Sequence, residues 1–463
     1  VRIALDAMGG DLAPKAAVEG AVAAARDFNI EVVLVGLKDI VETELATHET
    51  AGLAIRIEHA PEVVTMDDSP LESVLIKTHS SIHFGLEMVK RGDVHAFVSA
   101  GNSGAMMAAA MAILGNLPHV DRPAIGTLVP NTGGLTLLID AGANTEVKPH
   151  NLAQFAVMGS VYSRRVRNIA RPRVGILSNG EEASKGTDLT RGAAAMLTHM
   201  AAHVNYIGYV EGRDINRGKA DVVVTDGFTG NVALKTMEGF AAFLLGQIRE
   251  LFGSSWRGRI GYLFVRKALG AMREHLDPHE TGGAPLLGVN GIAIIAHGSS
   301  NARAIRNAIR AASNEALVRQ VNAEIVDVLA KSEAAMGAKP AGKGIRGIFA
   351  KMRDRLSRTK EAEEKEHERR VNAAASDDSP AEERHKPADD RIKKEKESLK
   401  RETGALAHEP TSSPPLNGTT PIGDTHAAET RPGTGSLNGE NPTSGKVVEP
   451  EIVDDIHPRK APR

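Results

Sequence analysis

Short apolar runs recur along the chain, each closing on a small or polar residue before turn formers and a stretch of helical spacing. They are Ile3 to Asp6, Val32 to Val35, Ala96 to Ser99, Leu135 to Asp140, Val174 to Ser178 and Asp221 to Thr225. That alternation predicts an α/β fold, a largely parallel sheet covered by helices. In such sheets ligands gather at the carboxyl ends of the strands, so the polar residues just after the runs become the candidate site. Ala316, Leu317, Val321, Ile325, Val328 and Leu329 have the spacing of a helix that buries one face. They form the last core element the pattern predicts.

Beyond that helix, Gly337, Pro340, Gly342 and Gly344 break the pattern, charges of both signs crowd residues 358–370, and a segment rich in Pro, Ser, Gly, Asn and Thr follows. Such composition buries too little apolar surface to offset the conformational entropy of folding. The expectation is a globular domain over 1–335 and a mostly disordered tail over 336–463, with a short charged helix near 345–371. The tail is either a docking segment or a solvated extension. No repeat at a fixed spacing emerges, which argues against a solenoid or propeller.

Charge and composition narrow the chemistry. With 56 basic and 58 acidic side chains the net charge is −2, which gives no global reason to expect a nucleic-acid partner. One Trp, four Tyr and ten Phe also leave little material for base-stacking platforms. The absence of cysteine excludes disulfides, thiolate metal sites and a cysteine nucleophile. No apolar run reaches the roughly 20 residues that span a bilayer, and Val1 to Asp6 opens like a buried strand instead of a signal peptide. A cytoplasmic location is the expectation.

The chemistry-bearing residues lie in the strand-end turns. The first run leads into Asp6, Ala7, Met8, Gly9, Gly10 and Asp11, with Pro14 placed for a helix start. Gly9 and Gly10 either let backbone approach a ligand or simply make a tight turn. Asn102, Ser103 and Gly104 follow another run and precede a helix, the order that cradles a phosphate. A nucleophile elbow would need glycine where Ala105 stands, and no partner histidine is identifiable. Asp140 and Asn144 bracket a third turn, where an Asp orients a donor or holds the backbone. Asn179, Glu181, Glu182 and Lys185 share a fourth. There Lys185 offers charge to a phosphate with Glu181 or Glu182 fixing it, or the group is a surface ion pair. Asp226, Gly230 and Asn231 make the fifth, with Lys235 and Glu238 following at helical spacing. His297 and Ser299 close the series as acid–base or nucleophilic candidates, or as structural residues beside the run Ile292 to Ala296.

Each turn is a weak signal alone. In order, DAMGGD, AGNSGA, DAGAN, SNGEEASKG, DGFTGN, GGAPLLG and AHGSSN closely resemble the phosphate acyltransferase of bacterial phospholipid synthesis, over about residues 1–330. The resemblance implies a three-layer α/β/α sandwich similar to the isocitrate and isopropylmalate dehydrogenase superfamily, which also includes phosphate acetyltransferases. It implies a homodimer that needs no nucleotide, cofactor or metal. The implied reaction moves a long acyl chain from acyl carrier protein to inorganic phosphate, and a membrane-bound acyltransferase then takes the product. The tail has no counterpart in the family's pattern.

Phosphate is already anionic near neutral pH, so attack on a thioester carbonyl needs orientation and oxyanion donors more than a strong base. On this reading Asn102, Ser103, Gly104 and Lys185 bind phosphate while Asn179, Asn231 or His297 stabilises the carbonyl oxygen. Gly9, Gly10, Asp140, Asn144, Glu181, Asp226 and Gly230 complete the candidate substrate-binding set. Residues 240–275 intersperse Phe240, Phe243, Leu251, Trp256, Leu263 and Phe264 with Arg249, Arg257, Arg259, Arg266 and Lys267. An amphipathic basic segment of this kind lies on an anionic membrane, docks an acidic carrier protein or packs a dimer; the alternative is an ordinary buried helix face. The family resemblance favours peripheral contact with the inner face of the cell membrane and dimer packing. The competing functions are a short-chain phosphate acetyltransferase and a non-catalytic phosphate-binding scaffold. A dehydrogenase of the same superfamily is disfavoured, because no dinucleotide fingerprint or carboxylate metal cluster is present.

Overall fold

The computed structural model describes residues 1–276, 280, 282–318 and 320–336. The expected tail beyond Met336 and its short charged helix lie outside them. Numbered along the chain, the strands are β1 (Arg2–Asp6), β2 (Glu31–Gly36), β3 (Ile55–His59), β4 (Ala96–Ser99), β5 (Ala124–Asn131), β6 (Gly134–Ile139), β7 (Arg173–Leu177), β8 (Asn205–Val210), β9 (Val222–Val224), β10 (Ala284–Leu287) and β11 (Ala293–Ile295). The helices are α1 (Lys15–Phe28), α2 (Lys38–Leu45), α3 (Pro70–Ile76), α4 (Ser81–Arg91), α5 (Ser103–Ile113), α6 (Pro149–Arg165), α7 (Asp188–His199), α8 (Gly212–Arg217), α9 (Gly227–Gly253), α10 (Trp256–Leu276), α11 (Ala302–Val318) and α12 (Val321–Met336). All six apolar runs named above are strands.

One sheet holds the strands in the order β3-β2-β1-β4-β11-β10-β5-β6-β9-β7-β8. From β3 to β11 neighbours are parallel, and so are those from β6 to β8. Between them, β10 and β5 run against both of their neighbours. The sheet is largely parallel, as the pattern predicts, and its two parallel halves point in opposite directions. The cause is local: β5 and β6 form a tight hairpin through Thr132 and Gly133, where Asn131 Oδ1 accepts from the Gly133 amide at 2.7 Å. A turn of this composition joins antiparallel neighbours only.

Alternation along each strand builds three layers. Ile3 and Leu5 of β1 face α1 and α11, while Ala4 faces the layer of α4 and α5. In the other half Leu137 and Ile139 of β6 pack with Leu152 and Phe155 of α6, Leu197 of α7 and Ile325 of α12. Leu138 points the opposite way, to Val210, Ile215 of α8 and Val223. Each fully buried aliphatic side chain of this kind contributes roughly 1.5–3 kcal/mol. The strands are buried on both faces, which is why they read as continuous apolar runs. Among the described residues no helix is long and apolar enough to cross a membrane.

The last predicted helix is two. Ala316 is buried on α11, whereas Val321, Ile325, Val328 and Leu329 are buried on α12, and Leu317 between them is 65% exposed. The break has a packing reason: α11 covers the first half of the sheet and α12 covers the second.

Glu315, near the end of α11, is buried, and one of its carboxylate oxygens has no hydrogen-bond partner among the described residues. Burial pushes its pKa from the ordinary 4.5 up to about 8. The native chain then holds this proton more tightly than the unfolded one. The group's contribution is fully present below about pH 4.5 and is lost as the pH rises through 8. Glu315→Gln is expected to flatten the fall in stability between those limits and to raise stability at pH 8 by up to about 4 kcal/mol. Urea unfolding across that range checks it, and an unchanged slope would contradict the assignment.

Candidate active site

Neighbouring strands β1, β4 and β11 deliver three turns side by side. Buried Asp6 accepts from the Met8 amide at 3.1 Å and from Ser99 Oγ at 2.8 Å, and Ser99 Oγ accepts in turn from the Gly101 amide at 3.1 Å. Burial raises the Asp6 pKa, and bonds from Ser81, Ser99 and the amides of Met8 and Gly9 oppose the rise. The Asp11 amide donates to the Gly298 carbonyl at 2.8 Å. A Cβ on Gly9 would sit 2.5 Å from Asp6 Oδ2 and 2.7 Å from the Gly101 nitrogen, so only glycine lets these turns close. Gly10, at φ +100°, lies against Gly298 and Ala100.

Asn102 caps α5 by accepting from the Ala105 amide at 3.0 Å, and its own amide donates to the Asp68 carbonyl at 3.1 Å. Its side chain is thereby committed to structure. Ser103 is exposed on the first turn, with its hydroxyl unpartnered among the described residues, while Gly104 abuts Pro70. The free amides at the start of α5 remain available to an anion.

The second group follows β6 and β9. Asp140 is fully buried; Oδ1 accepts from the amides of Ile125 (3.1 Å), Gly142 (3.2 Å) and Ala143 (2.9 Å), and Oδ2 from the amide (2.7 Å) and side chain (2.8 Å) of Asn144. Burial raises its pKa, partly offset by those bonds. The Asn144 carbonyl accepts from the Gly227 amide at 2.7 Å, and Gly230 lies directly against the Asp140 carbonyl. Asp226 caps α9, accepting from the Thr229 amide at 2.8 Å. Asp140, Asn144, Asp226 and Gly230 thus fasten the start of α9 to the end of β6. Asn231 lies exposed over Gly142, its amide without a partner among the described residues.

The fourth turn follows β7. Asn179 Oδ1 accepts from the Gly186 amide at 2.9 Å and so closes its own loop. The expected pairing of Lys185 with Glu181 or Glu182 does not form among the described residues: Glu181 pairs with Lys219 at 2.8 Å, because the connection from α8 to β9 brings that lysine alongside. Lys185 folds its stem over Gly180 and keeps its ammonium unpartnered among the described residues.

What joins the two halves is a residue to which the sequence reading gave no role. Lys235 Nζ lies 2.8 Å from Glu238 Oε2 and 3.3 Å from His297 Nε2, and His297 Nδ1 lies 2.8 Å from Ser299 Oγ. The contact ties α9, rooted in the second half, to the turn after β11 in the first. The signal was available: Asn231, Lys235 and Glu238 recur at i, i+4 and i+7, which is one helical face. Among the described residues no cluster of three or more His, Asp and Glu side chains is placed to hold a metal ion.

Farther along, α9 and α10 pack on each other, with Phe252 and Tyr262 edge to face at 6.0 Å, and leave Phe243, Trp256, Leu263 and Phe264 exposed, the last at 84%. Among the described residues none from 231 to 273 is buried, so this stretch offers no buried helix face to the rest of the described fold.

Gly230→Ala would drive a methyl group into the Asp140 carbonyl, whereas Gly239 on the same helix has open space around it. The first substitution is expected to cost about 1–3 kcal/mol in urea unfolding. The second is expected to be neutral or to stabilise by up to about 1 kcal/mol. Equal effects would contradict the clamp.

A family model described as "Fatty acid synthesis protein" matches residues 1–324. A phosphate acyltransferase from Geobacter sp. (strain M21) is 52% identical over 332 residues, 72% of this chain and 94% of the relative. One from Anaeromyxobacter sp. (strain Fw109-5) is 50% identical over 333 residues, 72% of this chain and 92% of the relative. Among solved structures, a phosphotransacetylase from Streptococcus pyogenes aligns at 17% identity with a TM-score of 0.47, covering 68% of this chain and 94% of that chain. A likeness at that level bears on neither reaction nor substrate. The sequence matches decide the matter, since they run through every strand and turn described above: the chain belongs to the phosphate acyltransferase family.

Proposed function

We propose that the chain transfers a long-chain fatty acyl group from acyl carrier protein to inorganic phosphate, giving an acyl phosphate for phospholipid synthesis. The observation that carries this reading is the bridge from Lys235 to His297, which brings α9, with the free amide of Asn231 one turn earlier, against the glycine-rich turns of the other half. Phosphate is itself the nucleophile, so the protein's task is to hold it and to polarise the thioester carbonyl. The amides of Ser103 and Gly104 and the ammonium of Lys185 are the proposed phosphate donors, and Asn231 and His297 the groups for the carbonyl oxygen. Asn179, Glu181, Asp140, Asn144, Asp226, Gly9, Gly10 and Gly230 support them by shaping the turns.

The exposed apolar residues of α9 and α10, with Arg257, Arg259, Arg266 and Lys267 among them, support a cytoplasmic protein that touches the inner face of the cell membrane and pairs with a second copy. A membrane acyltransferase is the proposed acceptor of the product.

Incubation with long-chain acyl carrier protein and phosphate, trapped with hydroxylamine, should give an acyl hydroxamate whose formation requires phosphate. Folded Lys185→Ala and Asn231→Ala variants are expected to lose about ten- to a hundred-fold in rate. Wild-type rates in both would overturn those assignments, faster turnover of acetyl thioesters would favour the short-chain enzyme, and no product at all would leave a scaffold. In flotation with anionic vesicles, Trp256→Ser combined with Phe264→Ser should release the protein from the membrane fraction. No binding by the intact chain would contradict the membrane contact.

A further inference from the structure

The backbone fixes which nitrogen of His297 carries a hydrogen. The Ser299 amide donates to Nδ1 at 3.2 Å, and an amide hydrogen cannot turn away, so Nδ1 accepts. The Ser299 hydroxyl, 2.8 Å from the same nitrogen, donates to that lone pair as well. An imidazole whose Nδ1 accepts holds its hydrogen on Nε2. Facing Nε2 at 3.3 Å is Lys235 Nζ, an ammonium paired with the Glu238 carboxylate at 2.8 Å. An ammonium has no lone pair, so these two nitrogens are both donors and cannot bond each other. Among the described residues, neither the Nε2 hydrogen nor the ammonium hydrogens left over from Glu238 have an acceptor. What satisfies both is one oxygen set between them. Lys235 and His297 are exposed, so an incoming oxygen reaches the pair.

The surroundings say which oxygen. Two carboxylates and one ammonium face this turn: Glu238 and Lys235 from α9, and Asp11 from the turn after β1, whose carboxylate lies beside Gly298. That balance is poorly matched to a resident phosphate dianion. Exposed apolar groups flank the donors instead. Val232 stands one turn before Lys235 on α9, and the Met66 methyl lies against Gly298. An acyl group fits such a setting, with its chain on the apolar side and its carbonyl oxygen toward the two nitrogens.

We propose that Lys235 is a catalytic residue, and that its ammonium and the Nε2 hydrogen of His297 form a two-donor hole for the thioester carbonyl oxygen. The proposal rests on the acyl-transfer reading and deepens it. A phosphate oxygen bonds to the carbonyl carbon and the π pair moves onto the carbonyl oxygen, where both donors meet the new charge. Collapse then breaks the C–S bond, and the thiolate leaves with the proton that the attacking monohydrogen phosphate gives up. Donors aimed at a charge that develops only in the transition state act on kcat, whereas donors that merely held phosphate would act on its KM.

The experiment measures kcat and the KM for phosphate for wild type, Lys235→Met, Lys235→Arg and His297→Phe. Each protein is given a long-chain acyl thioester of the carrier protein and the matching dithioester, in which sulfur replaces the carbonyl oxygen. Lys235→Met and His297→Phe should each lower kcat on the thioester about a hundred-fold, with the phosphate KM within about two-fold of wild type. Lys235→Arg, which keeps a cationic donor, should recover rate relative to Lys235→Met. Sulfur accepts hydrogen bonds weakly, so the ratio of thioester to dithioester rates should be about ten-fold smaller in Lys235→Met and His297→Phe than in wild type. The ratio is taken within one protein, so a variant that only loosens the tie between α9 and the turn after β11 lowers both rates alike and leaves it unchanged. An unchanged ratio, a phosphate KM that rises with kcat preserved, or a wild-type rate in Lys235→Met would each overturn the proposal, and the second would assign the pair to phosphate. A wild-type protein that forms no phosphate-dependent acyl hydroxamate ends the acyl-transfer reading instead, before any variant is compared.

Discussion

Because β10 and β5 run against both of their neighbours, the halves of the sheet present their carboxyl ends in opposite directions, and each glycine-rich turn is sorted into one of two groups. A sheet buried on both faces cannot relieve this by sliding, since a one-residue slip would turn Ile3, Leu5, Leu137 and Ile139 into the wrong layer. A site that draws on both groups therefore needs an element that crosses between them. That element is α9, anchored at its start by the Asp140 carboxyl and its gathered amides and reaching the other half through Lys235.

The same helix carries two kinds of surface. Its first turns face polar chemistry, with Asn231 and Lys235 on one side. Its later turns and α10 leave large apolar side chains in solvent, an arrangement that costs free energy in an isolated chain and is relieved by any apolar partner. Holding both surfaces on one continuous helix couples the position of the exposed segment to that of the candidate site.

Much of the fold was legible in the residues. Six apolar runs became strands, because a strand covered on both faces must be apolar along its length. The reversal was readable in Asn131, Thr132, Gly133 and Gly134, yet Pro130 and the mixed burial of β5 hid the strand leading into them. The candidate site was legible only as turns. Which side chains hold those turns and which stay free depends on contacts between distant segments: Asn102 is used up on the loop at Asp68, Glu181 on Lys219, and Lys235 meets His297 across 62 positions. Charge spacing along a single segment suggested a partner for Lys185, but the fold supplied Glu181 with a different one.

The central claim is that phosphate attacks the acyl carbonyl directly, with the protein holding and polarising. The most direct measurement is a mass spectrum of the reaction quenched during turnover, run with phosphate labelled in all its oxygens. The account predicts an acyl phosphate that retains every labelled oxygen and a protein of unchanged mass. A product lacking the label, or a protein that carries the acyl chain, would contradict it.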